Sequence, residues 1–187
     1  MPILPSEPEM FPPDLWETDN RAAGEVRWWC LHTRPRQEKA AARELHHQKI
    51  SYYLPQVVHE SRTPRGRKSR SILPLFPGYL FLLGAETERS LALRGHRLVS
   101  ILQVADQDGI HQDLHQIHTL LGSGLVVVPE LDLPVGTTVR IITGPLKGMV
   151  GTIVRRGKRD QFVAIVHFLG RGATVDLEDW QVERLQA

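Results

Sequence analysis

The chain has 187 residues, 41% of them hydrophobic, with 23 Lys and Arg against 21 Asp and Glu for a formal charge of +2. That composition suits one ordinary domain or two small ones; it excludes disorder throughout and a histone-like polycation, so attraction to nucleic acid has to come from local clusters. One cysteine, Cys30, allows no internal disulfide; no apolar run approaches the roughly 20 residues that span a bilayer, and no basic-then-apolar leader opens the chain, so a cytoplasmic monomer without a membrane partner is expected.

Residues 1–24 hold five of the 13 prolines and show no sustained period, which predicts a flexible arm whose Phe11, Leu15 and Trp16 are incidental or dock elsewhere. Order is expected to begin at Val26 to Leu31, a β-prone run apolar on both alternating faces and so suited to mid-sheet. Thr33, Arg34 and Pro35 predict a helix start, and the helix formers from Glu38 to Leu45 carry it to about Gln48. Further strands are predicted over Tyr53 to Glu60 and Ser71 to Leu83, the latter interrupted by Pro74 and Pro77. A helix follows at Glu86 to Arg94, then a strand at Leu98 to Val104, an Asp108-Gly109 turn, and a helix from Gln112 to Leu121. This order predicts an α+β sandwich over residues 25–121, an antiparallel sheet packed on helices.

Gly122, Ser123, Gly124 and the Pro129 to Pro134 stretch break the period, which predicts a linker over residues 122–134. From 135 to 187 the pattern changes to short strands punctuated by glycine: Thr138 to Thr143, Met149 to Arg156, Gln161 to Phe168, Ala173 to Leu177 and Val182 to Leu185. Those residues predict a small all-β barrel.

The run from Val139 to Val154, with Gly144, Gly148 and Gly151 between alternating Val and Ile, resembles a KOW motif. Phe168 to Leu177 followed by Gln181-Val182-Glu183 is similar to the closing strands of the NusG tail domain, and Leu75-Phe76-Pro77-Gly78-Tyr79-Leu80-Phe81 resembles the signature of its first domain. Together with Trp28-Trp29, the resemblance to the NusG/RfaH family covers about residues 26 to 187. It implies an NGN-like α+β domain, an SH3-like KOW barrel, and a non-enzymatic elongation or antitermination factor without a cofactor. The Pro74 to Phe81 stretch leans toward RfaH, the specialised paralogue, whereas the glycine-rich and β-branched tail argues for a permanent barrel.

The resemblance further implies that the first domain docks on the clamp helices of the largest RNA polymerase subunit through Trp29, His32, Phe76, Pro77, Tyr79 and Phe81. In this reading Tyr79 and Phe81 share a strand face and line the pocket, with Leu80 and Leu82 pointing inward. Arg62, Arg65, Arg67, Lys68 and Arg70, with Arg34 and Arg36, form a basic edge read either as solvated surface or as a contact to non-template DNA or an acidic surface. Phe168, Leu169 and Arg171 match the loop that engages Rho or a small-subunit ribosomal protein. The alternative reading is a ribosome-associated or RNA-binding KOW protein.

Two enzyme signals are weighed and set aside. His111, His115 and His118 share one side of a helix with Leu114, Ile117 and Leu121, which reads as the polar flank of an amphipathic helix rather than a metal site. Cys30 sits in a strand expected to be buried, where a thiol is inert packing.

Overall fold

The structure, a computed structural model, describes residues 8–17, 25–62, 68–130, 136–156, 159–176 and 182–185. Contacts divide the chain into two units, Met1–Gln107 and Asp108–Ala187.

The first unit is built on a five-stranded antiparallel sheet in the order β1-β3-β6-β2-β7. Its strands are β1 (Met10–Phe11), β2 (Arg27–Thr33), β3 (Ser51–Tyr53), β6 (Tyr79–Gly84) and β7 (Leu98–Gln103); β4 (Gln56–Arg62) and β5 (Lys68–Pro74) pair only with each other as a ribbon. Cross-strand partners fix which side chains share a face. Tyr53 lies opposite Phe81, Phe81 opposite Cys30, and Cys30 opposite Leu102; two residues along, Tyr79 lies opposite His32 and Leu83 opposite Trp28. The other face carries Trp29, Leu31, Tyr52, Leu80 and Leu82, and α1 (Glu38–His47) covers it with Ala41, Ala42 and Leu45. α2 (Glu86–Arg94) adds Ala92 to the same cluster. Both faces are therefore buried along β2 and β6, which accounts for their nearly continuous apolar runs.

Several boundaries differ from expectation, each for a local reason. Thr33 stays in β2, its N–H donating to the Gly78 carbonyl at 2.8 Å; Arg36 has φ +61°, and α1 starts only at Glu38. The run expected as one strand from Tyr53 to Glu60 divides at Leu54-Pro55 into β3 and β4. Likewise, the Ser71 to Leu83 run divides at Leu75 to Gly78, the place its prolines marked as irregular. α2 spans the expected residues. The Asp108-Gly109 turn is absent: both residues lie in α3 (Gln107–Gly122), whose buried residues Ile110, Asp113, Leu114 and Ile117 repeat at helical spacing. Local turn preference loses there to the apolar stripe.

A larger departure lies in the expected arm. Met10 and Phe11 pair with Tyr53 and Tyr52 as an edge strand, the Leu54 N–H donates to the Glu9 carbonyl at 2.6 Å, and the Tyr52 hydroxyl donates to the Pro8 carbonyl at 3.1 Å. Phe11 then meets His46 edge-on at 4.9 Å under the Lys49 ammonium. Leu15 is only 4% exposed. Trp16 stacks on Trp28 at 5.7 Å and meets Tyr53 edge-on at 5.1 Å. Residues 8–17 are thus a strap across the sheet, because three apolar anchors and an edge to pair with outweigh a proline-rich composition.

Burial raises the Glu9 carboxyl above the ordinary carboxylate range, against the lowering effects of the Tyr53 hydroxyl and the Gln56 backbone. The Tyr53 hydroxyl is itself raised, first by burial and then by Glu9. A carboxyl whose folded value lies above its unfolded one contributes stability that is complete at acid pH and lost as pH rises through the folded value. Glu9→Gln is therefore expected to hold the strap as firmly at about pH 7 as at about pH 4, where the parent loosens with rising pH. Trp16 fluorescence or hydrogen exchange at Leu54 would read the difference, and equal pH profiles for the two proteins would refute it.

The second unit holds α3 and a six-stranded antiparallel sheet in the order β13-β9-β10-β11-β12-β8. Its strands are β8 (Val128–Glu130), β9 (Thr137–Ile141), β10 (Val150–Arg156), β11 (Arg159–Val166), β12 (Arg171–Asp176) and β13 (Val182–Arg184). Val139, Ile141, Phe162, Val163, Ala173 and Val175 are its core. β8 pairs with β12 inside the stretch expected as linker, so Val128 to Glu130 are stitched to the sheet. At Gly151 a side chain would stand 2.5 Å from the Val163 carbonyl oxygen and 2.6 Å from the Phe162 ring, so only glycine permits that approach.

Candidate functional site

The expected docking residues divide by strand parity. Trp29 and His32 are three apart on β2 and point to opposite faces, so they cannot line one pocket. Trp29 is buried on the α1 side, donating its indole N–H to the Gly84 carbonyl at 3.0 Å, with the Arg27 and Arg89 guanidinium groups over its ring. Phe81 is fully buried on the opposite face and Phe76 nearly so; their rings meet edge-on at 6.3 Å. These three are framework. What reaches solvent is a smaller group: His32 and Tyr79, both half-buried, stack at 5.2 Å and 18°, and Pro77 beside them is exposed.

The backbone under this pair is tied down. Gly78 has φ +88°, a conformation that side chains oppose, and donates its N–H to the buried Glu38 carboxylate at 2.7 Å, while its carbonyl accepts from Thr33. Tyr79 N–H closes the turn on the Phe76 carbonyl at 3.0 Å. Pro77 and Tyr79 are thereby presented by a turn held to both β2 and α1, which lowers the entropy lost when a partner immobilises them.

Trp28, Tyr53 and Trp16 extend the aromatic face and were absent from the expected set. Trp28 shares parity with His32, which was the signal available for it. Tyr53 and Trp16 become neighbours only through the pairing of β3 with β6 and the docking of the strap.

Of the basic edge, Arg34, Arg36 and Arg70 are exposed. Arg62 lies opposite Lys68 at the end of the β4–β5 ribbon and Arg70 opposite Glu60; residues 63–67, including Arg65 and Arg67, lie outside the described residues. The ribbon is fastened to α1 by Lys39, which donates to the Ile72 carbonyl at 2.6 Å. Exposed Val58 and Ile72 face each other across it.

In the second unit Phe168 is exposed, and Leu169 and Arg171 are half-buried. Phe168 and Leu169 sit on a 3-10 turn (His167–Leu169) closed at Gly170, φ +63°. Asp113 on α3 holds this turn: its carboxylate accepts the His167 backbone N–H at 2.9 Å and faces the ring Nδ1 at 3.1 Å. An acid buried between Ile110 and Ile117 was the signal in the sequence for such a tie.

Burial pushes the Cys30 thiol up to about 12, which keeps it protonated and unreactive at neutral pH. His111 and His115 stack at 6.5 Å; His118 is lowered by burial and then by His115. Among the described residues no group of three or more His, Cys, Asp or Glu could hold a metal ion.

Residues 26–116, which run from β2 into α3, match the family model described as transcription termination factor NusG. This segment is a NusG-family domain. This NusG-family match contains β2, the Phe76 to Phe81 segment and the β4–β5 ribbon, and hence the whole stacked pair with its supporting turn. No curated protein matches the chain. Among solved structures, an MjSpt4:Spt5 complex matches at 16% identity over 86% of this chain and 97% of that one, with a TM-score of 0.27, a likeness too loose to bear on fold or partners.

Proposed function

We propose that this chain, with its NusG-family domain, is a transcription elongation and antitermination factor that acts by binding, not catalysis. Its first domain grips the clamp helices of the largest RNA polymerase subunit and suppresses pausing or termination, and its KOW domain, an SH3-like barrel, recruits a second factor. The observation that carries this is the His32–Tyr79 stack beside exposed Pro77, a rigid aromatic platform inside the NusG-matched segment. Aromatic groups of this kind bury much area with few torsions to freeze and can dominate a modest interface.

The basic ribbon is the second contact in this reading, to non-template DNA, with Arg34 and Arg36 on its flank. Exposed Phe168, with Leu169 and Arg171, is the tail's contact to Rho or a small-subunit ribosomal protein. A specialised role, read-through of particular long operons, fits the Pro74 to Phe81 stretch.

Co-purification with RNA polymerase tests the first contact. Tyr79→Ala is expected to weaken binding by tenfold or more, about 1.4 kcal/mol or above, with the fold intact by circular dichroism. In the same assay, neutralising Arg34, Arg36 and Arg70 is expected to flatten the salt dependence of binding to a polymerase–DNA bubble complex. Full retention by a folded Tyr79→Ala protein would dismiss the platform, and an unchanged salt slope would return the basic edge to ordinary surface.

A further inference from the structure

We infer that residues 8–17 form an intramolecular cover over part of the polymerase-docking face, so that the strap and the polymerase compete for one aromatic surface. This rests on the docking reading above and adds a regulatory element to it.

The geometry begins with face parity. Tyr79, Phe81 and Leu83 alternate on β6 with His32, Cys30 and Trp28 opposite them, and Tyr53 lies opposite Phe81 on β3. Trp16 sits on this face, stacked on Trp28 and edge-on to Tyr53. From the His32–Tyr79 pair to the Trp28–Leu83 pair is four residues, about 13 Å of strand. One helix with its side chains is about 10–12 Å across. A pair of helices centred on Tyr79 extends about 10–12 Å to either side, which brings its edge up against the Trp16 ring stacked on Trp28.

The strap is also built to come off. Its pairing is two residues long, Met10 and Phe11 against Tyr53 and Tyr52, supplemented by the Glu9 carbonyl to Leu54 and the Pro8 carbonyl to the Tyr52 hydroxyl. Against the entropy of ordering ten residues stand the apolar anchors Phe11, Leu15 and Trp16, these bonds, the Lys49 ammonium over Phe11, and the contacts of the Glu9 carboxyl with the Tyr53 hydroxyl and the Gln56 backbone. Burial of the Glu9 carboxyl, which disfavours its charged form, weakens the docked state further at neutral pH. A cover so balanced leaves a fraction of molecules open, and apparent affinity for the partner falls in proportion to that fraction.

The test compares three full-length proteins for binding to purified RNA polymerase core enzyme: the parent, Trp16→Ala and Tyr52→Phe. Tyr52 belongs to the cluster on the α1 side, away from the docking face, and its hydroxyl donates to the Pro8 carbonyl of the strap. Trp16→Ala is expected to bind several-fold tighter than the parent. Tyr52→Phe is expected to bind about 2- to 10-fold tighter, the range set by one hydrogen bond. Unchanged or weaker binding in Tyr52→Phe, or weaker binding in Trp16→Ala, overturns the cover and leaves the docking reading standing. No binding by any of the three removes the docking reading, and the cover with it. Hydrogen exchange at Leu54 in the parent supplies an independent check: polymerase should speed it, and protection in the complex counts against displacement.

Discussion

Phe81→Ala is expected to cost about 3–5 kcal/mol of unfolding free energy, the range for emptying a fully buried aromatic site. Its ring lies at 0% exposure, edge-on to Phe76 and between Tyr53 and Cys30 on neighbouring strands. Tyr79, two residues away and half-exposed, should cost about 1 kcal/mol or less on truncation. Denaturant titrations of the two variants, monitored in the first unit, separate framework from surface within one strand. Similar midpoints for the two would contradict the burial pattern. The contrast also governs how binding data are read, because lost binding in a Phe81 variant has to be separated from lost folding.

Gly151→Ala is expected to destabilise the second unit by about 1–3 kcal/mol, the cost of forcing atoms into a filled site. The added methyl would meet a backbone carbonyl of β11, which cannot rotate away, and the Phe162 ring. Gly122, at the end of α3, is the control: nothing lies within 4 Å of the position a side chain would take, so Gly122→Ala should be neutral or mildly stabilising. Hydrogen exchange across β10 and β11 would register the difference. Equal protection in the two variants would mean that the close approach is not required.

The sequence made some levels of this protein readable and hid others. α2 was legible to the residue because Glu86 and Glu88 in its first turn, the Glu88 carboxylate accepting from the Ala85 N–H at 2.9 Å, and Arg94 in its last are all local signals. The interruption near Pro74 and Pro77 was legible because proline removes a ladder donor wherever it stands. Trp29 was grouped with His32 by family position, whereas strand alternation puts the two on opposite faces; counting two residues at a time from Tyr79 and its partner His32 leads to Trp28. The strap was missed for a different reason. Composition measures the average cost of ordering a segment, whereas docking needed only Phe11, Leu15 and Trp16 to find aromatic partners that lie distant in sequence.

At the end of β7 the Gln107 side chain takes over from the missing next residue. Its amide donates to the Trp28 carbonyl at 3.1 Å and to the Val104 carbonyl at 2.8 Å, and its oxygen accepts the Trp28 N–H at 2.7 Å. A stray extended peptide arriving at this stretch of β2 would find both main-chain groups of Trp28 already engaged, with nothing to template on. The carboxamide works as a stopper against growth of the sheet at this stretch of β2.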